Sequence, residues 1–411
     1  MNSNKEDTMT TPVKGKERIV ELDVIRGFAL FGVLLVNMTL FKSTDFYVSK
    51  APGDFISPID QGFAWLIQIL ASGNFYTIFS FLFGLGFYIF MNRTREKGLS
   101  VKKLFIKRLL FLLGFGLLHL LFIWSGDILH RYSITGFFLF FFMRSSSEQI
   151  MKWTKRLLAF SLVAIFLVFL VQGLDYEVIE EDLVIDAQEE MAEEAPVVYR
   201  EGSYLAILEF RFIRELPFIS LNLLLAIPTL LTLFLMGFYV GEKEYYKDLS
   251  KRLRDVRQVF YRSLVIALPL KALYAAVLGG FIPVPMVIRF SLLEVLDYAS
   301  GIAMCFVYMT GVVLLMNKKG VMSLLYPFHY VGKMALTNYL AQSLVAIMIF
   351  YGFGLGLFGS VRLWWGVLLT VLIFAAQIFT SKLWLAYYQF GPMEWIWRNL
   401  TYGKRFPLRK G

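Results

Sequence analysis

His119 sits among leucines in "FGLLHLLFIW", and the following stretch "WSGDILHRYSITG" brings Asp127, His130 and Arg131 back across a tight connection. Imidazole titrates near neutral pH, and a carboxylate on one ring nitrogen fixes its tautomer and makes the other nitrogen more basic. A meeting of His119 with Asp127 would therefore supply a general base. Asp127 stands three and four positions before His130 and Arg131, a spacing that suits pairing on one helical turn. A lone histidine on an apolar helix is otherwise a hydrogen-bonded structural group, and that reading stands beside the catalytic one.

A second set opens the first apolar run, "ELDVIRGFALFGVLLVNM". Helical geometry puts Arg26 and Asn37 within about 20° of each other and Asp23 within about 60° of Arg26. One face then carries an ion pair at one end and an amide at the other, a polar line suited to guiding a ligand. Headgroup anchoring by Asp23 and Arg26 is the plainer alternative. Asn74, in "ASGNFYT", adds a polar group inside a long apolar run. Asn338 and Gln342 lie one turn apart in "MALTNYLAQS", where hydrogen bonding between helices is the default role. Lys271 lies within another run, Glu294 and Asp297 form an acidic pair near a helix end, and Lys382 suits snorkelling. His119, His130 and His329 lack metal-ligand spacing, so no metal is expected. No Gly-rich phosphate loop, GxSxG elbow or dinucleotide fingerprint is visible.

The elements that carry these residues follow from composition. Of 411 residues 57% are hydrophobic and only 18% charged, with 41 phenylalanines. Apolar runs long enough to cross a hydrocarbon core of about 30 Å recur throughout. The fold class is all-α, a polytopic membrane bundle with spans near 24–41, 62–91, 106–124, 128–143, 153–173, 216–241, 263–281, 291–316, 334–357 and 363–388. The run 62–91 is too long for one straight span, and Ser72-Gly73-Asn74 is its natural break. Cys305 is the one cysteine, so no internal disulfide forms.

Charge sets the orientation. Segments 1–20, 92–108, 144–156, 242–262, 317–333 and 389–411 hold 30 of the 41 basic residues. The intervening segments hold seven, and 174–215 carries 13 acids against three arginines. Basic loops stay inside, so both termini are expected in the cytoplasm and the acidic loop outside. This alternation, and not a basic face, accounts for the net charge of +10, which excludes a nucleic-acid partner. The chain divides into a cytoplasmic tail 1–20, a bundle 21–390, and a tail 391–411 whose "GPMEWIWRNLTYGKRFPLRK" suits an interfacial helix.

The blocks "RIVELDVIRGFALFGVLLVNM", "NFYTIFSFLFGLGF", "SGDILHRYSITG", "VGKMALTNYLAQS" and "FGPMEWIWRNLT" resemble, in order, the YeiB-like family of bacterial membrane proteins. That family carries a domain of unknown function and is grouped by resemblance with transmembrane acyltransferases that acetylate glycans, heparan sulfate among them. The shared element is "LD-x-x-RG", matched by Leu22, Asp23, Arg26 and Gly27. The resemblance implies a bacterial cytoplasmic-membrane location and an acyl donor such as acetyl-CoA approaching from the cytoplasm, with Arg26 on a donor phosphate. Asn37 stands where many of those enzymes carry a catalytic histidine, and 38–118 holds none. An amide binds an oxyanion but accepts no proton, so either His119 takes the base role from the third span or the fold is kept without the chemistry. The expected centre is thus His119 with Asp127, served by Asp23, Arg26, Asn37, Asn74, Arg131 and Asn338. The alternative is a non-catalytic carrier of a lipid, quinone or other amphiphile. Membrane lipids are the expected partners, and a homodimer is compatible with the sequence.

Overall fold

The computed structural model describes residues 19–47, 50–178 and 185–410; most of the expected tail 1–20 lies outside the described residues. The first helix, α1 (Val20–Lys42), is apolar on almost every face, as a helix surrounded by protein should be. Leu22, Val24, Ile25, Ala29 and Leu35 enter one core, while Leu30, Leu34, Met38 and Phe41 enter another. The helix stops where Ser43 turns extended.

The long run breaks as expected. Helices α2 (Pro58–Leu70) and α3 (Phe75–Glu96) are separated by a turn in which Gly73 adopts φ +72°. A break inside a membrane frees backbone groups that need partners. Asn74 supplies one, its Nδ2 donating to the Ile69 carbonyl at 3.1 Å.

Helix α4 (Val101–Phe122) turns through 123–128 into α5 (Leu129–Phe138), which a 3-10 turn extends over Leu139–Phe142. The expected span 128–143 is therefore about 23 Å long, short of the hydrocarbon core. Then come α6 (Ser147–Val178), α7 (Ile185–Glu201) and α8 (Tyr204–Phe210). A π-helical turn, Arg211–Glu215, joins α8 to α9 (Leu216–Glu242). The acidic segment expected as a loop is thus largely helical, and the helix expected at 216–241 begins at Tyr204. Buried apolar faces outweigh the acids there: Met191, Ala195, Tyr199, Ile207 and Phe210 pack into the second core of α1.

The remainder comprises α10 (Leu253–Leu278), α11 (Met286–Met316), the short α12 (Val321–Leu325) and α13 (Phe328–Lys333), α14 (Ala335–Phe350), α15 (Leu363–Tyr387) and α16 (Pro392–Tyr402). Among the described residues eight helical stretches are long and apolar enough to cross a membrane. The other two expected spans are the shorter α5 and the 16-residue α14. Helix α1 packs against α3, α11, α13, α14 and α15, so it runs through the middle of the bundle.

Helix ends sort into two sets. At one, Trp397 Nε1 donates to the Arg108 carbonyl, Arg95 to that of Met143, and Gln389 N to that of Leu408. At the other, Gly359 N donates to the Lys42 carbonyl, Gly352 N to that of Tyr199, and Tyr204 to that of Phe122.

Candidate functional site

The turn after α4 brings its polar groups together. Asp127 is 1% exposed, and its Oδ1 lies 2.9 Å from His119 Nδ1. Its Oδ2 lies 2.8 Å from His130 Nδ1 and accepts from the His130 backbone N–H at 2.8 Å. One carboxylate thus bridges two imidazoles and starts α5. The approach is close because Gly116 lacks a side chain: a Cβ there would stand 2.4 Å from the His130 nitrogen.

His119 is 1% exposed, and its Nε2 has no hydrogen-bond partner among the described residues. In a neutral ring the carboxylate at Nδ1 keeps the proton there and leaves the Nε2 lone pair as the acceptor. A buried acceptor without a partner is costly in a purely structural role. The Tyr339 ring lies beside the imidazole with centroids 5.3 Å apart, and the Trp124 ring at 6.4 Å. The Tyr339 hydroxyl accepts from the Ile128 N–H at 3.3 Å. Arg131, on α5 one turn after Asp127, interacts electrostatically with Asp127 and Tyr339.

The Asp23–Arg26 pair forms at the opposite end of the bundle. Arg26 Nη1 donates to Asp23 Oδ1 at 2.8 Å, and His329 Nδ1 approaches Asp23 Oδ2 at 3.6 Å. Gly27 and Gly332 let α13 lie directly on α1: a Cβ at Gly27 would stand 2.1 Å from the Phe328 carbonyl oxygen, and one at Gly332 1.9 Å from that of Asp23. Arg108 lies 3.8 Å over the Trp397 ring. Glu394 accepts from the N–H groups of Leu336 at 2.7 Å and Thr337 at 3.1 Å, capping α14 from a distant segment. Burial pushes the Glu394 carboxyl above the usual carboxylate range, against the pull of those donors.

Among the other expected residues, Asn74 and Asn338 form hydrogen bonds of their own within the bundle. Asn37 is half-buried on α1 with no hydrogen bond among the described residues. Asn74 serves the α2–α3 break. Asn338 Nδ2 donates to Ser381 at 2.9 Å, and Gln342 Nε2 to Gln377 at 2.8 Å, the interhelical hydrogen bonding that the sequence pattern implied.

Sequence reasoning missed Tyr339, which arrives from a distant helix, and Arg211. The Arg211 guanidinium donates to the Leu121 carbonyl at 3.1 Å and to that of Ile123 at 3.3 Å, flanking the turn that carries the site. Glu215 accepts from the hydroxyls of Tyr47 and Tyr199. A buried Arg and Glu four positions apart in a helical stretch were a signal, hidden by the charge of the segment around them.

Apolar helices, an unwound turn inside the bundle and a buried imidazole–carboxylate cluster define a polytopic α-helical membrane protein with a polar centre toward one face. The family model described as "Protein of unknown function (DUF418)" matches residues 240–404. The chain is 33% identical to "Uncharacterized protein YxaH" of Bacillus subtilis (strain 168), over 97% of this chain and 98% of that protein. It is 27% identical to "Uncharacterized protein YeiB" of Escherichia coli (strain K12), over 94% and 96%. The chain belongs to this YeiB-like, DUF418 family.

Proposed function

We propose that the protein transfers an acyl group from a cytoplasmic thioester donor to a hydroxyl or amine acceptor at the opposite face, with His119 as general base. The observation that carries this reading is the His119 ring itself, held at Nδ1 by Asp127 with Nε2 buried and unpartnered. In the proposed step Nε2 takes the acceptor's proton while its oxygen or nitrogen attacks the acyl carbonyl. Collapse of the tetrahedral adduct breaks the carbon–sulfur bond, and the imidazolium returns the proton to the departing thiolate. In this reading Arg131 and Tyr339 stabilise the oxyanion. Arg26 and Arg108 suit donor phosphates at the other end. Arg108 and His119 share α4 about 16 Å apart along its axis, a gap that the donor's acyl arm must span.

The test uses acetyl-CoA with proteoliposomes and a membrane glycan and lipid extract, read as thiol release and acetylated product. His119→Gln keeps hydrogen-bonding capacity but cannot take the proton. Transfer should fall at least about a hundredfold while thermal unfolding stays near that of the wild type. An unchanged rate removes His119 from the mechanism, and no turnover by the wild type turns the reading to the carrier.

A further inference from the structure

A groove on the outside of the bundle remains unexplained by the site above. Its cavity volume is about 810 Å³, and it lies between the segment 319–330 and helix α15. Ala375, Phe379 and Lys382 line one wall at four- and three-residue steps, a single stripe of the helix. Met322, Tyr326 and Tyr330 form much of the other. Phe379 is 68% exposed and Met322 47%, so both walls present apolar surface to whatever fills the groove.

The lining carries two lysines. Lys319 and Lys382 come from different elements, line the same groove and are exposed. Neither forms an ion pair among the described residues, and no acidic side chain belongs to the lining. Lys382 stands near the end of α15 that leads to the basic tail. From there the groove follows α15 for about 10 Å toward Ala375, parallel to a helix long and apolar enough to cross a membrane. Its inner edge also meets the α1 ion pair: the Tyr326 ring stacks on that of His329, which approaches Asp23.

We propose that this groove is a binding site for an anionic phospholipid of the basic-side leaflet, its phosphate held by Lys319 and Lys382 and one acyl chain lying along Ala375–Phe379. The apolar walls select a lipid over a free phosphate, and two lysines without a carboxylate select a net negative headgroup over a zwitterionic one. The proposal is independent of any acyl-transfer activity.

The protein is reconstituted in phosphatidylcholine nanodiscs doped with phosphatidylglycerol, and the lipid it retains after release is counted by native mass spectrometry. The wild type should retain one phosphatidylglycerol in preference to phosphatidylcholine. Each lysine near a membrane surface contributes about a fivefold preference, so Lys319→Ala should lose about that much and the double Lys319→Ala, Lys382→Ala variant about thirtyfold. Both side chains are exposed, so folding should survive. Lys404→Ala, an exposed lysine outside the groove, should change nothing. Equal retention of the two lipids, or a double variant that retains phosphatidylglycerol like the wild type, overturns the proposal. Displacement by soluble glycerol 3-phosphate as effective as by the lipid overturns it as well, because the groove would then be a phosphate site.

Discussion

Asp23 and Arg26 form an ion pair whose two members are unequally placed. The Asp23 side chain is 2% exposed and that of Arg26 30%. Removing the arginine takes its guanidinium from a carboxylate that is almost fully buried, whereas removing the aspartate leaves a guanidinium that water can reach. Arg26→Ala should therefore destabilise more than Asp23→Ala, toward the range of about 3–5 kcal/mol for a broken buried pair. The double change should cost less than the sum of the two. Thermal unfolding of all four proteins in one detergent measures the cycle, and simple additivity would leave headgroup anchoring as the sufficient account. This pair was legible in the sequence because a three-residue step on a helix is a contact in itself. The His119–Asp127 contact was legible for a similar reason, since a tight turn returns the chain within eight residues. His329 and Tyr339 were not, because nothing local says which distant helix lies opposite.

The elements show where composition misleads. Thirteen acids make 174–215 read as an outward loop, yet α7, α8 and the π-helical turn cover one end of the bundle. A π-helical turn adds a residue to one turn of helix and re-aims the side chains that follow. Here Arg211 and Glu215 both lie 1% exposed, their Nε and Oε2 3.7 Å apart. Arg211 holds the carbonyls just before Trp124, so the outer helices act as a clamp on the turn that carries His119. Arg211→Met keeps the bulk but strands two carbonyls and Glu215. Its expected cost is about 3–5 kcal/mol, and adding Glu215→Gln should recover part of it. Urea or thermal melts of the single and double variants decide the matter. No recovery in the double variant would mean that Arg211 acts only through the carbonyls. The same logic limits what sequence offers for α5 and α14. Apolar length counts residues, whereas the 3-10 turn after Phe138 and the extended Tyr351 decide where those helices stop.

For the molecule as a whole, the charge pattern and the hydrogen-bond pattern are independent and agree. Arg95, Arg108, Gln389 and Glu394 tie together segments from the basic-rich set, while Lys42, Phe122, Tyr199 and Gly352 are tied within the acidic-rich set. Bundle architecture was readable from hydropathy because the backbone in hydrocarbon has few alternatives to helix. Sidedness rests on the additional rule that basic loops remain in the cytoplasm. If the rule holds, residue 203 at the start of α8 faces outward and residue 250, between α9 and α10, faces inward. Both serines are exposed, so cysteine can replace either with little cost to packing. The native Cys305 is 1% exposed and is removed first as Cys305→Ala to clear the background. In intact cells a membrane-impermeant maleimide should label Ser203→Cys but not Ser250→Cys, and permeabilisation should make the second site reactive. The reverse pattern would invert the molecule, placing Asp23 and Arg26 outside and the His119 turn inside. Labelling of both sites in intact cells would mean that an odd number of membrane crossings does not separate them, and α9 would lose its place as a span.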